Sequence, residues 1–260
     1  MIIQTINIYQ LYPDHWELYG DQGNIMALVR RLGWHDLKPR LVAIPPGSRV
    51  SLKSCHILYM GDFRNTGAKT VAADLKRHRQ ETKERIEDGM VLLATGSSYQ
   101  WLGQYYRTIS GEQFEGLGLV NCYSVQKEQR LTGELIVKCC LWSPPKTLVG
   151  FENHDGQTYP GLEATPLGQV LSGYGNNQSG ETEGIVYKNV IGTYMHGSLL
   201  PRNPWLTDYL LQRALQYLDI DYRLSKLDDS LEEEAHRTAL QHRLPFTEHQ
   251  SKKSLFRFWA

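Results

Sequence analysis

Short apolar runs alternate along the first half of the chain with longer segments in which apolar residues recur every three or four positions. The longer period is typical of amphipathic helices, and short β-branched runs that end in Gly, Asp or Asn predict buried strands. This alternation predicts βαβ units and an α/β fold. The predicted strands are Ile2–Ile8, Arg40–Ile44, His56–Met60 and Met90–Ala94, and the predicted helices are Ile25–Leu32, Ala68–Glu87 and Tyr99–Tyr106.

The second half of the chain has a different pattern. Gly116–Gly150 is rich in alternating β-branched positions, which predicts antiparallel hairpins. Two further strands, Gly184–Tyr187 and Val190–Met195, precede a predicted helix at Pro204–Tyr217. Its start fits a capped helix, because Pro stands at the first helical position and Asn203 precedes it.

The last part of the chain is highly charged from about Leu224 onward. One amphipathic helix is predicted there around Leu231–Leu244, followed by a basic, aromatic end that includes Phe256–Trp259. We therefore predict a main domain of residues 1–223 and a peripheral C-terminal tail of residues 224–260.

Composition limits the classes of partner. The 260 residues carry 28 Lys+Arg and 28 Asp+Glu, so the formal net charge is zero. Such a chain has no general field to attract phosphate backbones or anionic lipid, which argues against nucleic acid and membrane surfaces as partners. The longest apolar stretches, Met90–Ala94 and Leu135–Trp142, are far shorter than the roughly 20 residues of a membrane-spanning helix.

The N-terminus and the cysteines indicate the compartment. Met1–Gln10 reads as an apolar strand and lacks the basic segment, long apolar segment and cleavage site of a signal peptide, which predicts a cytoplasmic protein. The four cysteines, Cys55, Cys122, Cys139 and Cys140, have no CxxC spacing, and two of them are adjacent. They are predicted to be reduced thiols. The histidines show no metal-ligand spacing, so neither a metal nor a cofactor is expected.

Gly61–Thr70 resembles a phosphate-binding loop, because it follows a strand and opens a helix. A Walker loop has four residues between its glycines and Lys directly after the second glycine. Here five residues separate Gly61 from Gly67, and Ala68 intervenes before Lys69. An ordinary strand-to-helix loop is the better interpretation.

A second strand-turn-helix pattern lies at Met90–Gly103. A buried strand runs into the turn around Gly96 and Ser97, and the predicted helix follows at once. This layout is typical of a nucleophile elbow, although a tight βα turn of no chemical importance has the same pattern. A later strand ends in His196 followed by Gly197, where an imidazole could serve as general base toward the elbow.

Taken together, these segments resemble the class I glutamine amidotransferase domains of the cobyric acid synthase (CobB/CobQ) type, and among them the GatD branch. The resemblance implies a flavodoxin-like three-layer α/β sandwich with a mostly parallel central sheet, an antiparallel addition and a site at the carboxyl edge of the strands. It covers most of the first 220 residues. The strings that carry it are Tyr19–Asn24, Leu93–Tyr106, Glu115–Gly118, Gly150–His154, Pro166–Gly168, Gly173–Asn177 and Gly192–Gly197.

The resemblance also implies roles for individual residues. The family's catalytic His falls on His196, and the elbow Gln that contacts bound glutamine falls on Gln100. The Arg that holds the carboxylate of glutamine falls on Arg130, a residue type suited to bidentate carboxylate capture. His154 belongs to a family motif for which we expect a structural role.

The sequence departs from the family at the centre of the site. The family elbow reads Cys-Gly-Gly, whereas this chain has Gly96, Ser97 and Ser98. The thiol that would form a γ-glutamyl thioester is therefore missing. The family's oxyanion-loop glycines correspond here to Gly61 and its successor Asp62, and a carboxylate at that position would oppose a developing oxyanion.

Four functions remain open after this reading. The first is a GatD-like subunit that partners a Mur-ligase-like (MurT-like), ATP-dependent synthetase in lipid II amidation, with glutamine hydrolysis lost or impaired. The second is a non-catalytic subunit that binds the ligase or senses glutamine. An amidotransferase of cobalamin-type biosynthesis and a hydrolase dependent on Ser97 or Ser98 are the others.

Overall fold

The computed structural model describes residues 4–13, 20–62 and 67–241. Its first sheet has six strands in the order β11-β12-β4-β3-β1-β2. All neighbours pair in parallel except β11, which is antiparallel to β12. The strands are β1 (Thr5–Leu11), β2 (Lys38–Ile44), β3 (Ile57–Met60), β4 (Val91–Thr95), β11 (Ile185–Tyr187) and β12 (Val190–Thr193).

The helices fit the predicted α/β layering. The chain passes from β1 through α1 to β2 on one side, and from β3 through α2 to β4 on the other. Because such crossovers are right-handed, these two helices cover opposite faces of the sheet. The helices are α1 (Gln22–Trp34), α2 (Ala68–Glu87), α3 (Leu199–Arg202), α4 (Pro204–Tyr217) and α5 (Ser230–Gln241).

A second, mostly antiparallel sheet carries the hairpin predicted within Gly116–Gly150. Its order is β10-β9-β7-β5-β6, and β8 pairs with β7. The hairpin is longer than predicted, since its arms have 18 and 15 residues. The strands are β5 (Tyr105–Arg107), β6 (Gln113–Glu115), β7 (Cys122–Cys139), β8 (Lys146–Pro160), β9 (Gly168–Ser172) and β10 (Thr182–Glu183).

The prediction of a helix at Tyr99–Tyr106 is wrong. A 3₁₀ helix spans Gly96–Trp101, and β5 follows it. The carbonyls that would continue the helix accept bonds from a distant segment instead: the N–H of Leu117 donates to Trp101 O, and the N–H of Gly118 donates to Gly103 O. A Cβ at Gly103 would lie 2.3 Å from Cys122 O, so this close approach requires glycine.

The C-terminal helix α5 lies on the surface and has no fully buried residue. The ring of His236 holds it from two sides, with Nε2 2.8 Å from Thr147 Oγ1 and Nδ1 3.1 Å from Arg202 O. Just before α5, Asp229 accepts hydrogen bonds from Arg31, which also contacts Asp208. The described part of the tail therefore contacts the rest of the chain at Asp229 and His236. Phe256–Trp259 lies outside the described residues.

Candidate functional site

Three adjacent strands bring the candidate residues together. Strand β4 pairs in parallel with β3 on one side and with β12 on the other. Asp62 follows β3, Gly96 follows β4 and His196 follows β12. Parallel strands end at the same edge of a sheet, which is where open α/β sheets bind ligands.

The turn at Gly96 has the backbone geometry of an elbow although no side chain extends from it. Gly96 has φ +60°, in the left-handed region that favours glycine. A Cβ built there would lie 3.3 Å from Asp62 Oδ2 and 3.4 Å from the Cβ of His196. A side chain at this position would thus stand between the carboxylate and the histidine.

The two serines after Gly96 are engaged elsewhere. Ser97 Oγ donates to Asp62 Oδ1 at 2.5 Å. Ser98 is fully buried, and its hydroxyl lies 2.6 Å from Met60 O and 2.9 Å from Thr95 O. The hydroxyl of Ser98 is therefore bound to backbone carbonyls beneath the turn. Gly61, which the resemblance assigns to the oxyanion loop together with Ser97, is buried between the end of β3 and Asp62.

His196 is a buried histidine held by its backbone and by its ring. It is 3% exposed, its N–H donates to Phe151 O at 3.0 Å, and its ring packs edge to face against Phe151 at 5.6 Å between centroids. The next residue, Gly197, accepts a hydrogen bond through its carbonyl from Asn24 Nδ2 at 2.8 Å. Asn24 thus fixes the loop that carries the histidine to the start of α1.

A buried polar network supports the elbow from below. The hydroxyl of Tyr59 donates to Asp21 Oδ1 at 3.0 Å, lies 3.0 Å from Thr95 Oγ1 and accepts a bond from Asn24 Nδ2. Burial raises the pKa of Asp21 to about 6, and the hydrogen bond from Tyr59 opposes that shift. The sequence of Tyr19–Asn24 predicts a turn and carries part of the family resemblance, but it gives no signal that Asp21 and Asn24 contact the residues beneath the elbow.

Gln100 lies in the 3₁₀ helix and is 4% exposed. Its amide packs on the bare backbone of Gly156, since a Cβ at Gly156 would lie 2.2 Å from Gln100 Nε2. Gly156, like Asp21 and Asn24, is a residue of the site that no sequence motif indicates. It lies inside β8, beyond the predicted hairpin segment, and a glycine in a strand interior is typical of a close approach by another group.

Arg130 is farther from the elbow. It lies in the irregular stretch of the β7–β8 pairing between Gln126 and Leu131, and its side chain is 42% exposed. Arg130 Nη1 donates to Asn153 Oδ1 at 2.9 Å, and Nη2 donates to Asp155 Oδ2 at 3.3 Å. Arg130 therefore contacts β8 at Asn153 and at Asp155, which directly precedes Gly156, the residue on which Gln100 packs.

His154 has the surroundings of a structural residue. Its Nδ1 lies 2.6 Å from Gly156 O, and its ring stacks on Tyr194 with 3.6 Å between centroids. Glu152 lies 3.3 Å away on the other nitrogen and accepts the N–H groups of Tyr174 and Gly175. These contacts fit the structural role expected for His154.

Three other predictions concern the cysteines, the loop that resembles a phosphate-binding loop, and membrane-spanning helices. All four cysteines are free, as predicted; three are buried and Cys140 is exposed. Burial raises the pKa of Cys122 to about 12 and that of Cys139 to about 11, so neither thiol is poised to react at neutral pH. Of the segment Gly61–Thr70, which resembles a phosphate-binding loop, residues 63–66 lie outside the described part. Lys69 forms an ion pair with Glu112 at 3.4 Å. Among the described helices, none is both long and apolar enough to cross a bilayer.

Known proteins share sequence with this chain along most of its length. Residues 7–204 match the model of the CobB/CobQ-like glutamine amidotransferase domain. The GatD subunit of the glutamine-hydrolyzing lipid II isoglutaminyl synthase of Staphylococcus aureus is 37% identical over 90% of this chain and 94% of its own length. The corresponding subunit of Streptococcus pneumoniae is 34% identical over 88% of both chains. Cobyric acid synthase of Limosilactobacillus reuteri is 29% identical over 60% of this chain but only 31% of its own.

Solved structures share the fold at low sequence identity. PurLQS from Thermotoga maritima superposes with a TM-score of 0.53 at 14% identity, over 82% of this chain and 99% of that one. A glutamine amidotransferase from the same organism gives 0.52 at 14% identity, over 92% and 91%. The predicted amidotransferase-like α/β fold is thereby confirmed. With a family match across more than half of its length, the chain belongs to the CobB/CobQ-like glutamine amidotransferase family.

Proposed function

We propose that this chain is the GatD-like subunit of a two-protein lipid II isoglutaminyl synthase, and that it has lost covalent glutamine hydrolysis or retains it only weakly. The proposed loss of hydrolysis rests on the residue at the elbow, Gly96. It occupies the elbow with φ +60°, and its missing side chain would face His196. A γ-glutamyl thioester requires a thiol at that position, and glycine supplies no nucleophile.

Neither neighbouring serine replaces the thiol well. The hydroxyl of Ser97 donates a hydrogen bond to Asp62, and the buried hydroxyl of Ser98 donates to backbone carbonyls. The resemblance assigns Asp62 to the oxyanion loop, where a carboxylate would oppose the charge that develops during acyl transfer. Two parts of the hydrolytic machinery are thus altered at once, which favours a changed mechanism over a single tolerated substitution.

The extent of similarity favours lipid II over a cobalamin-type substrate. The two lipid II synthase subunits match along 94% and 88% of their own lengths. The cobyric acid synthase matches along 31%. We infer that the partner is a MurT-like synthetase that activates the acceptor carboxylate with ATP, and that the complex works in the cytoplasm.

A second candidate function keeps glutamine as a ligand rather than a substrate. Gln100 is buried at the elbow, and Arg130 is half-exposed on the adjoining strand pair. We propose Gln100 and Arg130 as the glutamine-binding residues and His196 as the residue that would have served as base. In this case the chain senses glutamine or docks on the ligase while ammonia enters from solution.

The test is glutamate release from glutamine by the chain co-expressed with its MurT-like synthetase. The native chain, Gly96→Cys, Gly96→Cys/His196→Ala and the matched control Gly96→Ala are compared. We expect release only from Gly96→Cys, abolished by the added His196→Ala. Gly96→Ala imposes the same backbone strain without a thiol and stays inactive. Release by the native chain at the rate of Gly96→Cys would refute the loss of hydrolysis, and failure to co-purify with the synthetase would refute the assignment to the complex.

A further inference from the structure

Strand β2 forms one end of the parallel sheet, where it pairs with β1 and with no other strand of residues 4–13, 20–62 and 67–241. The N–H of Lys38 donates to Gln4 O, so the backbone groups of residue 38 point toward β1. Backbone groups alternate in direction along a strand, and those of residues 39, 41 and 43 therefore point away from β1. Leu41 and Ala43 present their N–H and C=O groups at this edge, and no described residue bonds to them there.

The first three residues of β2 restrict the kind of strand that this edge can add. Pro39 has no N–H, so the donors of the edge are confined to Leu41 and Ala43. The side chains of Lys38 and Arg40 are exposed, and neither forms an ion pair within the described part of the chain. Because alternate side chains of a strand share a face, these two cations lie together on one face of the sheet.

The side chains of Leu41 and Ala43 lie on the opposite face of the sheet, which is the face that α1 covers. Ala43 is in register with Gln10, and Gln10 is in register with Tyr59. The hydroxyl of Tyr59 bonds to Asn24 in α1, and residues in register point to the same face. Leu41 nevertheless stays 47% exposed. The edge of the sheet thus extends beyond the helix and leaves an apolar side chain in solvent.

Helix α1 adds apolar surface beside this edge. Met26 is 58% exposed and Trp34 57% exposed, Arg30 is exposed between them, and nothing lies within 4 Å of a Cβ built on Gly33. These four positions, which we call the α1 stripe, fall within an arc of about 100° around the helix. Helix α4 packs against α1 and against β4, so the flank of α1 that α4 leaves uncovered is on the β2 side.

Two occupants that this chain itself could supply fit the edge poorly. A second copy would bring its own Lys38 and Arg40 beside those of the first, and like charges across a strand pair are destabilising. Residues 242–260 contain four Lys and Arg residues and one Glu. That C-terminal segment has the same sign of charge as the edge.

We propose that the β2 edge, residues 38–44, binds an extended strand of the synthetase subunit that is apolar on the α1 side and carries Asp or Glu on the other. Strand addition of this kind uses backbone hydrogen bonds for affinity and alternate side chains for specificity. The backbone of the added strand pairs with Leu41 and Ala43, its apolar side chains cover Leu41 and the α1 stripe, and its carboxylates face Lys38 and Arg40. The inference rests on the proposed function, because it takes the synthetase as the partner.

The experiment measures by calorimetry the affinity of the full chain for the MurT-like synthetase, purified on its own. Lys38→Glu/Arg40→Glu is expected to weaken binding by about tenfold or more, because two attractive charges become repulsive. Leu41→Pro removes an N–H that has no partner within the described chain, and is also expected to weaken binding. The matched control Lys127→Glu/Lys138→Glu reverses two exposed charges on the second sheet and should bind like the native chain.

Amide hydrogen exchange supplies a readout on the native chain, which keeps the test decisive if a variant fails to fold. The N–H groups of Leu41 and Ala43 should exchange quickly in the free chain and slowly in the complex. Synthetase binding without protection of these two amides would overturn the proposal and leave the proposed function intact. So would native affinity in Lys38→Glu/Arg40→Glu.

Two further outcomes are separated by the same samples. If sedimentation shows that the native chain forms dimers and that the charge reversals affect only these dimers, a second copy is the occupant and the synthetase is not. If the native chain does not bind the synthetase at all, the proposed function fails, and the partner assigned to the β2 edge fails with it.

Discussion

Asn24 links the loop that carries His196 to the first helix through both ends of its amide. Its Nδ2 donates to Gly197 O at 2.8 Å, and its Oδ1 accepts from the N–H of Leu200 at 2.8 Å. Asn24 is fully buried, and its Nδ2 also reaches the hydroxyl of Tyr59. One side chain at the start of α1 therefore sets the position of the loop that carries His196, although 172 residues separate them.

Asn24→Ala is expected to lower the free energy of unfolding by about 2–4 kcal/mol, because it leaves buried donors and acceptors without partners. Chemical denaturation measures the change. The control is Asn177→Ala at a half-buried position, which removes a bond to Thr158 O and an exposed bond from the N–H of Ser179, and should cost about 1 kcal/mol. Equal losses for the two variants would show that the hydrogen bonds from Asn24 to the loop of His196 contribute no more to stability than those of a half-buried surface residue.

Gly156→Ala is expected to displace the amide of Gln100 while the fold is retained. The added methyl would lie 2.2 Å from Gln100 Nε2, which is the end of a flexible side chain, so the side chain moves rather than the strand. The loss of glutamine binding should match that of Gln100→Ala, as measured by calorimetry. Gly33→Ala is the control, since nothing lies within 4 Å of its Cβ and helix α1 gains about 0.5–1 kcal/mol. Unchanged glutamine affinity in Gly156→Ala would argue against Gln100 as a binding residue.

The elements with strong local signals could be predicted from sequence, and those that depend on distant contacts could not. Helices α2 and α4 begin and end where the periodicity and the flanking Gly67, Gly89 and Asn203 place them. The segment after Trp101 carries a helical pattern as well, but its carbonyls bond to residues 117 and 118. Hydrogen bonds to such a distant segment cannot be predicted from the local sequence pattern.

The same distinction applies to the candidate site. Gly96, His196 and Asp62 could be placed at one edge because each follows a predicted parallel strand. The supporting contacts of Asn24 with Gly197 and of Gly156 with Gln100 join residues 173 and 56 positions apart. These contacts depend on packing between the elements, so periodicity and motif spacing carry no information about them.

Glu183→Gln is expected to gain stability relative to the native chain as pH rises. Glu183 is fully buried, and burial raises its pKa to about 7, while Thr193 Oγ1 and the N–H of Tyr194 donate to it. Between pH 4.5 and about 7 the folded state holds a proton that the unfolded state has lost, so the native chain loses stability as pH rises through this window. The variant has no such loss.

The expected difference between the two chains grows by about 3 kcal/mol across that window. Urea unfolding of both proteins at several pH values measures it, and other groups that titrate, such as Asp21, cancel in the comparison. The exposed variant Glu128→Gln serves as the control and should follow the native chain. A difference that does not change with pH would mean that folding leaves the pKa of Glu183 unchanged.

Asp229→Asn is expected to loosen helix α5 from the domain. Arg31 is 3% exposed and contacts Asp229 at 2.5 Å and Asp208 at 2.6 Å, so removal of one negative charge weakens a buried ion pair. The free energy of unfolding should fall by about 1–3 kcal/mol. Limited proteolysis should cleave residues 224–241 faster than in the native chain, whereas Glu234→Gln on the exposed side of α5 should leave the rate unchanged.

Restoring the thiol alone is expected to give a poor nucleophile, because Asp62 would stand beside it. The carboxylate lies 3.3 Å from the ideal Cβ of residue 96, and a like charge at that distance raises the pKa of a thiol. Gly96→Cys/Asp62→Asn should therefore react with iodoacetamide about tenfold faster at neutral pH than Gly96→Cys, since the thiolate is the reactive form. The native cysteines provide the background rate, measured in the chain with Gly96. Equal alkylation rates and equal pH profiles for the two variants would show that Asp62 exerts no electrostatic control over the elbow, and glutamate release would then depend on the thiol alone.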